Sequence, residues 1–221
     1  MAKKQFIVIG MGRFGQSVAK GLASLGQEVL AVDNDETLVG EIAPYVTHAV
    51  QADASDEKAL AALGIRNFDV AVVTIGDNVQ ASILITMLCK ELGVGFVLAK
   101  AQNELHGKVL YKTGADKVVF PERDMGQRVA RNLADSNILD YIEIAGDLRI
   151  VDVAALPSWE NKSLADLDFR KKYGVNVIAI KKKNKEMNTV PHGVDVLEKE
   201  DMLIVVGDRE SIARLETATQ K

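Results

Sequence analysis

Cysteine is almost missing from this chain. Cys89 stands alone among 221 residues, so no internal disulfide can form, and its place in an apolar helical pattern reads as a small core residue. Long apolar runs are missing too. A membrane span needs roughly 18 consecutive apolar residues, and the most hydrophobic helical stretch, 81–89, is interrupted by Ser82 and Thr86. Positive charge is not in excess. Lys plus Arg number 27 against 31 Asp plus Glu, a net charge of −4, and that balance lacks the basic stripe that displaces counterions from nucleic acid. Met1-Ala2-Lys3-Lys4 runs straight into Phe6-Ile7-Val8-Ile9, which leaves no room for a secretory leader and points to the cytoplasm. Repeats and low-complexity tracts are absent. With 48% hydrophobic residues, the chain can bury a substantial core.

What is present alternates. Strand-like runs at 6–9, 28–32, 48–51, 70–74, 96–99 and 117–120 are short, β-branched and apolar on consecutive positions, as in strands covered on both faces. Helical patterns fill the gaps at 17–25, 36–43, 56–63, 79–92 and 104–113, with Gly26, Gly64, Gly93 and Gly114 placed to end four of them. Repeated strand–helix–strand units mean right-handed crossovers and a Rossmann-like, doubly wound parallel sheet. The spacing predicts a helix over 124–133, after Pro121-Glu122-Arg123. The expected organisation is a nucleotide-binding domain over 1–136, a hinge or crossover over 137–144, and a smaller α+β domain over 145–221. Strands at 148–155, 175–180 and 202–206 and helices at 164–173 and 209–216 are expected in the latter. Lys181-Lys182-Lys183-Asn184-Lys185 reads as a solvated hairpin.

Gly10-Met11-Gly12-Arg13-Phe14-Gly15 fits G-x-G-x-x-G between a strand and a helix. Gly10 permits the tight turn, Gly12 the approach of a phosphate, and Gly15 close helix–sheet packing. The helix start then offers N–H groups to an anion. Asp33 ends the second strand and can hold ribose hydroxyls, and Asn34 and Asp35 beside it are further cofactor-binding candidates that could also cap the next helix. Asp53 and Ala54, after the third strand, would border adenine, or Asp53 would cap a helix. Arg13 adds a full positive charge that suits a third phosphate or a ligand shared with a neighbouring subunit. Ile75-Gly76-Asp77 and Lys100-Ala101-Gln102 follow the fourth and fifth strands, where ligands of open α/β sheets bind. Lys100 is a candidate phosphate contact, and His106 and Glu122 lie near the same edge. No catalytic set emerges: there is no supported Ser-His-Asp group, no Cys-x-x-Cys and no His pair at ligand spacing.

These motifs, together with Asn78-Val79-Gln80-Ala81-Ser82, Pro121-Glu122-Arg123-Asp124-Met125-Gly126 and the 170–176 segment, resemble the regulator-of-potassium-conductance (RCK, TrkA-type) family, in its branch of cytosolic Ktr transporter subunits. The resemblance covers essentially the whole chain. It implies a non-enzymatic regulatory subunit answering ATP and ADP, with NAD as the alternative ligand. It implies an octameric ring of dimers, attached to the inner face of the cell membrane through a KtrB-like, membrane-embedded potassium-transporting partner. By position, it implies that Arg13 reaches the γ-phosphate in the dimer partner, that Phe14 and the glycines join the phosphate site, and that Lys100, Ala101, Gln102 and His106 line the pocket. Glu122 would take part in a site for Mg2+ or another cation. In the second domain Leu164, Leu167, Arg170, Asn176, Val177 and Pro191 occupy the positions that bind cyclic di-AMP. The rival readings are an NAD-dependent oxidoreductase or NAD-binding redox sensor, and a redox-sensing transcription factor, which the early first strand and acidic charge disfavour.

Overall fold

The computed structural model describes residues 3–134, 138–145, 147–184 and 186–219. The chain divides into two compact units, the first ending at Asp124. In the first, apolar runs become strands β1 (Gln5–Ile9), β2 (Glu28–Asp33), β3 (His48–Gln51), β4 (Val70–Val73), β5 (Phe96–Lys100) and β6 (Lys117–Val119). They pair in the order β3-β2-β1-β4-β5-β6, and every pairing is parallel. The intervening helices are α1 (Arg13–Ser24), α2 (Glu36–Ile42), α3 (Glu57–Ala62), α4 (Val79–Glu91) and α5 (Glu104–Lys112).

Side-chain alternation explains why these strands carry no polar face. Ile7, Ile9, Val32, Ala71 and Val73 bury into one cluster with Ile85 and Cys89 of α4. Val8, Val29, Ala31 and Val72 bury into another with Ala19 of α1 and Ile42 of α2. Successive residues go to opposite faces, and both faces are covered. Gly26, Gly64, Gly93 and Gly114 all adopt positive φ. Helix α6 (Pro121–Ala134) begins earlier than expected, because Pro121 opens it, as a residue with fixed φ and no N–H can.

The second unit holds β7 (Ile138–Ala145), β8 (Leu148–Ala154), β9 (Asn176–Lys181), β10 (Met187–Asn188) and β11 (Met202–Gly207), ordered β10-β9-β11-β8-β7. All its pairings are antiparallel. Helices α7 (Leu164–Leu167), α8 (Phe169–Tyr173) and α9 (Arg209–Thr219) complete it. A parallel Rossmann-like sheet followed by a smaller α+β unit is the expected fold class.

Three details differ from expectation. Residues 138–144 of the expected hinge belong to β7, which pairs along its length with β8; Asn137 lies outside the described residues. The division of the chain falls after Asp124 rather than at 136. The helix expected at 164–173 is broken at Asp168, which adopts φ 43° and accepts the Lys171 N–H to start α8.

Candidate nucleotide-binding site

At the end of β1 the chain reverses through Gly10, at φ 97°. The Gly10 N–H donates to the Val32 carbonyl at 2.8 Å. Its own carbonyl accepts the Thr74 hydroxyl at 2.6 Å. Helix α1 then packs so close to this turn that a Cβ on Gly15 would lie 1.8 Å from the Gly10 oxygen. Gly12 is the opposite case, since a Cβ there would meet nothing within 4 Å among the described residues.

Caps decide where free donors remain. Asp35, Asp56, Asn78 and Asn103 cap α2, α3, α4 and α5 by accepting a first-turn N–H. Helix α1 has Gly12 at its cap and no side-chain bond, so its first N–H groups stay available to an anion. The capping alternatives are resolved at the same time. Asp35, not Asp33, caps α2. Asp33 instead ties the glycine turn to the loop after β2, accepting the Met11 N–H at 2.5 Å and the Asp35 N–H at 2.9 Å. Asp56, not Asp53, caps α3. Asp53 accepts from the Ser55 hydroxyl at 2.6 Å and from its N–H at 2.9 Å, and these bonds hold its carboxyl below the usual carboxylate range.

A cavity of about 360 Å3 opens at the carboxyl ends of the strands. Ten of the expected residues line it: Gly10, Gly12, Asp33, Asn34, Asp35, Asp53, Ala54, Ile75, Gly76 and Asp77. Its size and its mixed lining suit an adenosine-sized ligand. Carboxylates on the walls favour hydroxyl and amine donors such as ribose and adenine, and they repel phosphate. Phosphates are favoured at the uncapped start of α1. Thr74, Leu38 and Ala52 also line the cavity. The hydroxyl of Thr74 at a strand end was the signal available in the sequence for that residue.

The other expected residues do not line this cavity. Gly15 lies behind the turn, and Ala101 is buried, its N–H donating to the Val119 carbonyl at 2.9 Å. Arg13 is exposed at the start of α1. Lys100 lies with its ammonium 5.9 Å from the centre of the Phe14 ring and 2.5 Å from Glu122 Oε1. The Lys100 bond, with the more distant charge of Arg13, holds the Glu122 carboxyl below its ordinary value. A basic group therefore gathers beside the acid-lined cavity. Gln102 donates its side-chain amide to the Gly76 carbonyl, and the Gln102 N–H donates to His106 Nδ1 at 3.3 Å. The chain's own donors at Glu122 amount to one carboxylate already paired with an ammonium. Among the described residues no cluster of three or more His, Cys, Asp or Glu could hold a metal ion.

The second unit has a separate cavity of about 490 Å3, lined by Leu164, Arg170, Asn176, Val177 and Pro191 among others. Arg170 Nε donates to Asn176 Oδ1 at 2.9 Å. Leu167 is not in this lining and packs in the core with Trp159 and Phe169. Asp168 and His192 line the cavity and were not anticipated.

A glycine turn feeding an uncapped helix at the switch between β1 and β4 places the first unit in the class of doubly wound, dinucleotide-binding folds. The family is narrower. Residues 6–121 match the TrkA-N domain and residues 148–219 the TrkA-C domain, and the chain belongs to that TrkA-type, RCK-domain family. It is 49% identical over 214 residues to the Ktr system potassium uptake protein C of Bacillus subtilis, covering 97% of this chain and 96% of that one. It is 40% identical over 210 residues to the Ktr system potassium uptake protein A of Vibrio alginolyticus, covering 95% of each. Among solved structures, the GsuK RCK domain shares the fold with a TM-score of 0.69 at 18% identity; it matches 100% of this chain, which spans 48% of that one.

Proposed function

We propose that this chain is the nucleotide-responsive gating subunit of a potassium uptake system. The relatives named as Ktr potassium uptake proteins support the setting. The observation that carries the ligand is the polarity of the site: carboxylates line the cavity, while the uncapped start of α1, Arg13 and Lys100 stand beside it. An adenosine fits the first part and its phosphates the second. ADP and ATP would differ in how far their phosphates reach toward Lys100 and Arg13. A ligand biases two conformations only through such a difference in affinity. The working assembly is an octameric ring of dimers on the cytoplasmic face of a membrane-embedded potassium-transporting partner. Arg13, exposed at the start of α1, would serve a phosphate shared between its own subunit's nucleotide site and that of the neighbouring subunit.

Glu122 would hold a cation only with oxygens from the nucleotide or a second subunit, since it is 71% exposed and paired with Lys100. In the second unit, Arg170 beside apolar Leu164 and Val177 suits a phosphate flanked by a base, and cyclic di-AMP is the proposed ligand there. The boundary between the working domains is placed at α6, where the two compact units divide.

The test is calorimetry on nucleotide-free protein with ADP, ATP, NAD and cyclic di-AMP, together with the size of the assembly in each state. The expected result is binding of both adenosine phosphates with unequal affinity, and a change of shape between them. R13A should lose that discrimination, and R170A should lose cyclic di-AMP alone. Tight NAD binding with indifference to ADP and ATP would favour the oxidoreductase or redox-sensor reading and overturn this one.

A further inference from the structure

His106 lies in the first turn of α5 and is 3% exposed. Its main-chain N–H is used by the helix cap, donating to Asn103 Oδ1 at 2.9 Å. Its ring Nδ1 accepts the Gln102 N–H at 3.3 Å. Only a neutral imidazole with its proton on Nε2 can accept there. Nε2 has no partner among the described residues. A buried, unmatched ring N–H is unfavourable, and a leucine of similar size would avoid it. Core packing therefore does not account for a histidine at this position.

What the imidazole obtains is a fixed Gln102. From that position the Gln102 side chain spans to the neighbouring loop and donates to the Gly76 carbonyl. Gly76 sits between Ile75 and Asp77, and all three line the cavity. The segment after β4 and the segment after β5 are thus tied together by one amide, and that amide's backbone is held by one ring nitrogen.

We propose that His106 is a positioning residue for the nucleotide cavity: as a neutral imidazole it fixes Gln102, and Gln102 holds the 75–77 segment in its ligand-binding shape. The inference rests on the adenosine-phosphate reading above. Protonation would set a ring N–H against the Gln102 N–H, donor against donor, and release the segment. Burial lowers the His106 pKa from its ordinary value. Affinity is therefore full while the ring is neutral and is lost as pH falls through that lowered value.

Other charged groups lie on α5 and on the segments around it in the first unit. They are Lys90 and Glu91 on α4, Asp77 ahead of α4, Lys100 on β5, Lys117 on β6, Glu122, Arg123 and Asp124 on α6, and Glu104, Lys108 and Lys112 on α5 itself. A comparison of variants that share all of them isolates the ring. H106N keeps an acceptor, because Asn Oδ1 stands where Nδ1 stood, and it does not titrate. H106L removes the acceptor.

ADP affinity is measured by calorimetry on the full chain for wild type, H106N and H106L between about pH 8 and about pH 5. H106L should bind about tenfold more weakly at the alkaline end, with H106N recovering most of that loss. Wild-type affinity relative to H106N should fall as pH drops through the lowered His106 value. In ligand-free protein, amide exchange over 75–78 should quicken in H106L. A wild-type to H106N ratio that stays flat with pH overturns the inference, even if H106L fails to fold. So does H106L binding ADP like wild type. Wild type that ignores ADP at the alkaline end refutes the nucleotide reading itself, and is told apart by that.

Discussion

Gly15 and Gly12 sit three residues apart in one motif, and the same substitution at each should fail in opposite ways. In Gly15→Ala the new methyl would lie 1.8 Å from the Gly10 carbonyl oxygen and 2.6 Å from Thr74 Oγ1. Ordinary contact begins near 3.4 Å, so 3.4 − 1.8 means a displacement of 1.6 Å. Neither neighbour can yield freely. The Gly10 oxygen is backbone in a turn at φ 97°, held by Thr74, and α1 is packed on the sheet through Ala19. Overpacking of this kind costs about 1–3 kcal/mol, and losing the Thr74 bond adds about 1 kcal/mol. A total of about 3 kcal/mol should lower the first unit's melting temperature by about 10 °C. Gly12→Ala meets nothing within 4 Å among the described residues, and the backbone there, φ −64° and ψ 179°, is open to any residue. Its stability should change by less than about 1 kcal/mol. Its methyl, however, would occupy the space that the proposed phosphate site needs, so ADP affinity should drop about tenfold or more. Thermal melting read beside ADP calorimetry separates the two effects. If G15A melts with wild type, or if G12A melts as low as G15A, the glycine roles assigned here are wrong.

In the second unit, Asp201 is fully buried and accepts the Lys182 ammonium at 2.8 Å and the Glu198 N–H at 2.9 Å. D201A leaves the Glu198 N–H unmatched and the Lys182 ammonium with only the Val196 carbonyl, at 3.1 Å, and should cost about 2–4 kcal/mol in urea denaturation of that unit; a loss under about 0.5 kcal/mol would show the bond to be dispensable. Acid should act through Asp166, Asp195 and Asp208. The Ser163 hydroxyl, the His192 N–H and the Ser211 N–H respectively hold their carboxyls below the ordinary value. A depressed folded pKa means stability that is complete above the unfolded carboxylate value and lost as pH falls through the folded one. Melting temperature in the second unit should therefore be level above about pH 5 and fall below about pH 4. A decline confined to neutral pH would contradict this.

Strand β4 was legible because Val70-Ala71-Val72-Val73 is apolar on every residue, and a strand buried on both faces leaves that mark. The second unit obeys a weaker code. Its antiparallel strands alternate, as in β11, where every second residue is buried. Strand β7 carries Glu143 between Ile142 and Ile144, and a short alternating run beside turn-forming residues reads as a hinge until its pairing with β8 is seen. The break at Asp168 was hidden because the apolar spacing continues through it. Only its left-handed backbone and its bond to the Lys171 N–H end one helix and begin another. Lys182 belonged to a run read as solvated. Its partner Asp201 is 19 residues away in sequence, and no local pattern reveals that.

The site shows the same division between local and distant information. Motif spacing placed Gly10, Asp33, Asp53 and Asp77 around one cavity, because each lies at or just past a strand end and the sheet aligns those ends. What spacing could not supply was the use each carboxylate makes of its lone pairs. Asp33 and Asp35 are two residues apart and chemically identical, yet one ties the glycine turn and the other caps α2. The difference arises from Met11, whose N–H reaches Asp33 across 22 residues of sequence. The proposed ligand binding would use the same feature. A carboxylate already fixed by two main-chain donors would need no reorganisation to accept ribose hydroxyls, since each oxygen keeps lone-pair capacity. The bonds that made Asp33 ambiguous in the sequence are thus the ones that preorganise it in the structure.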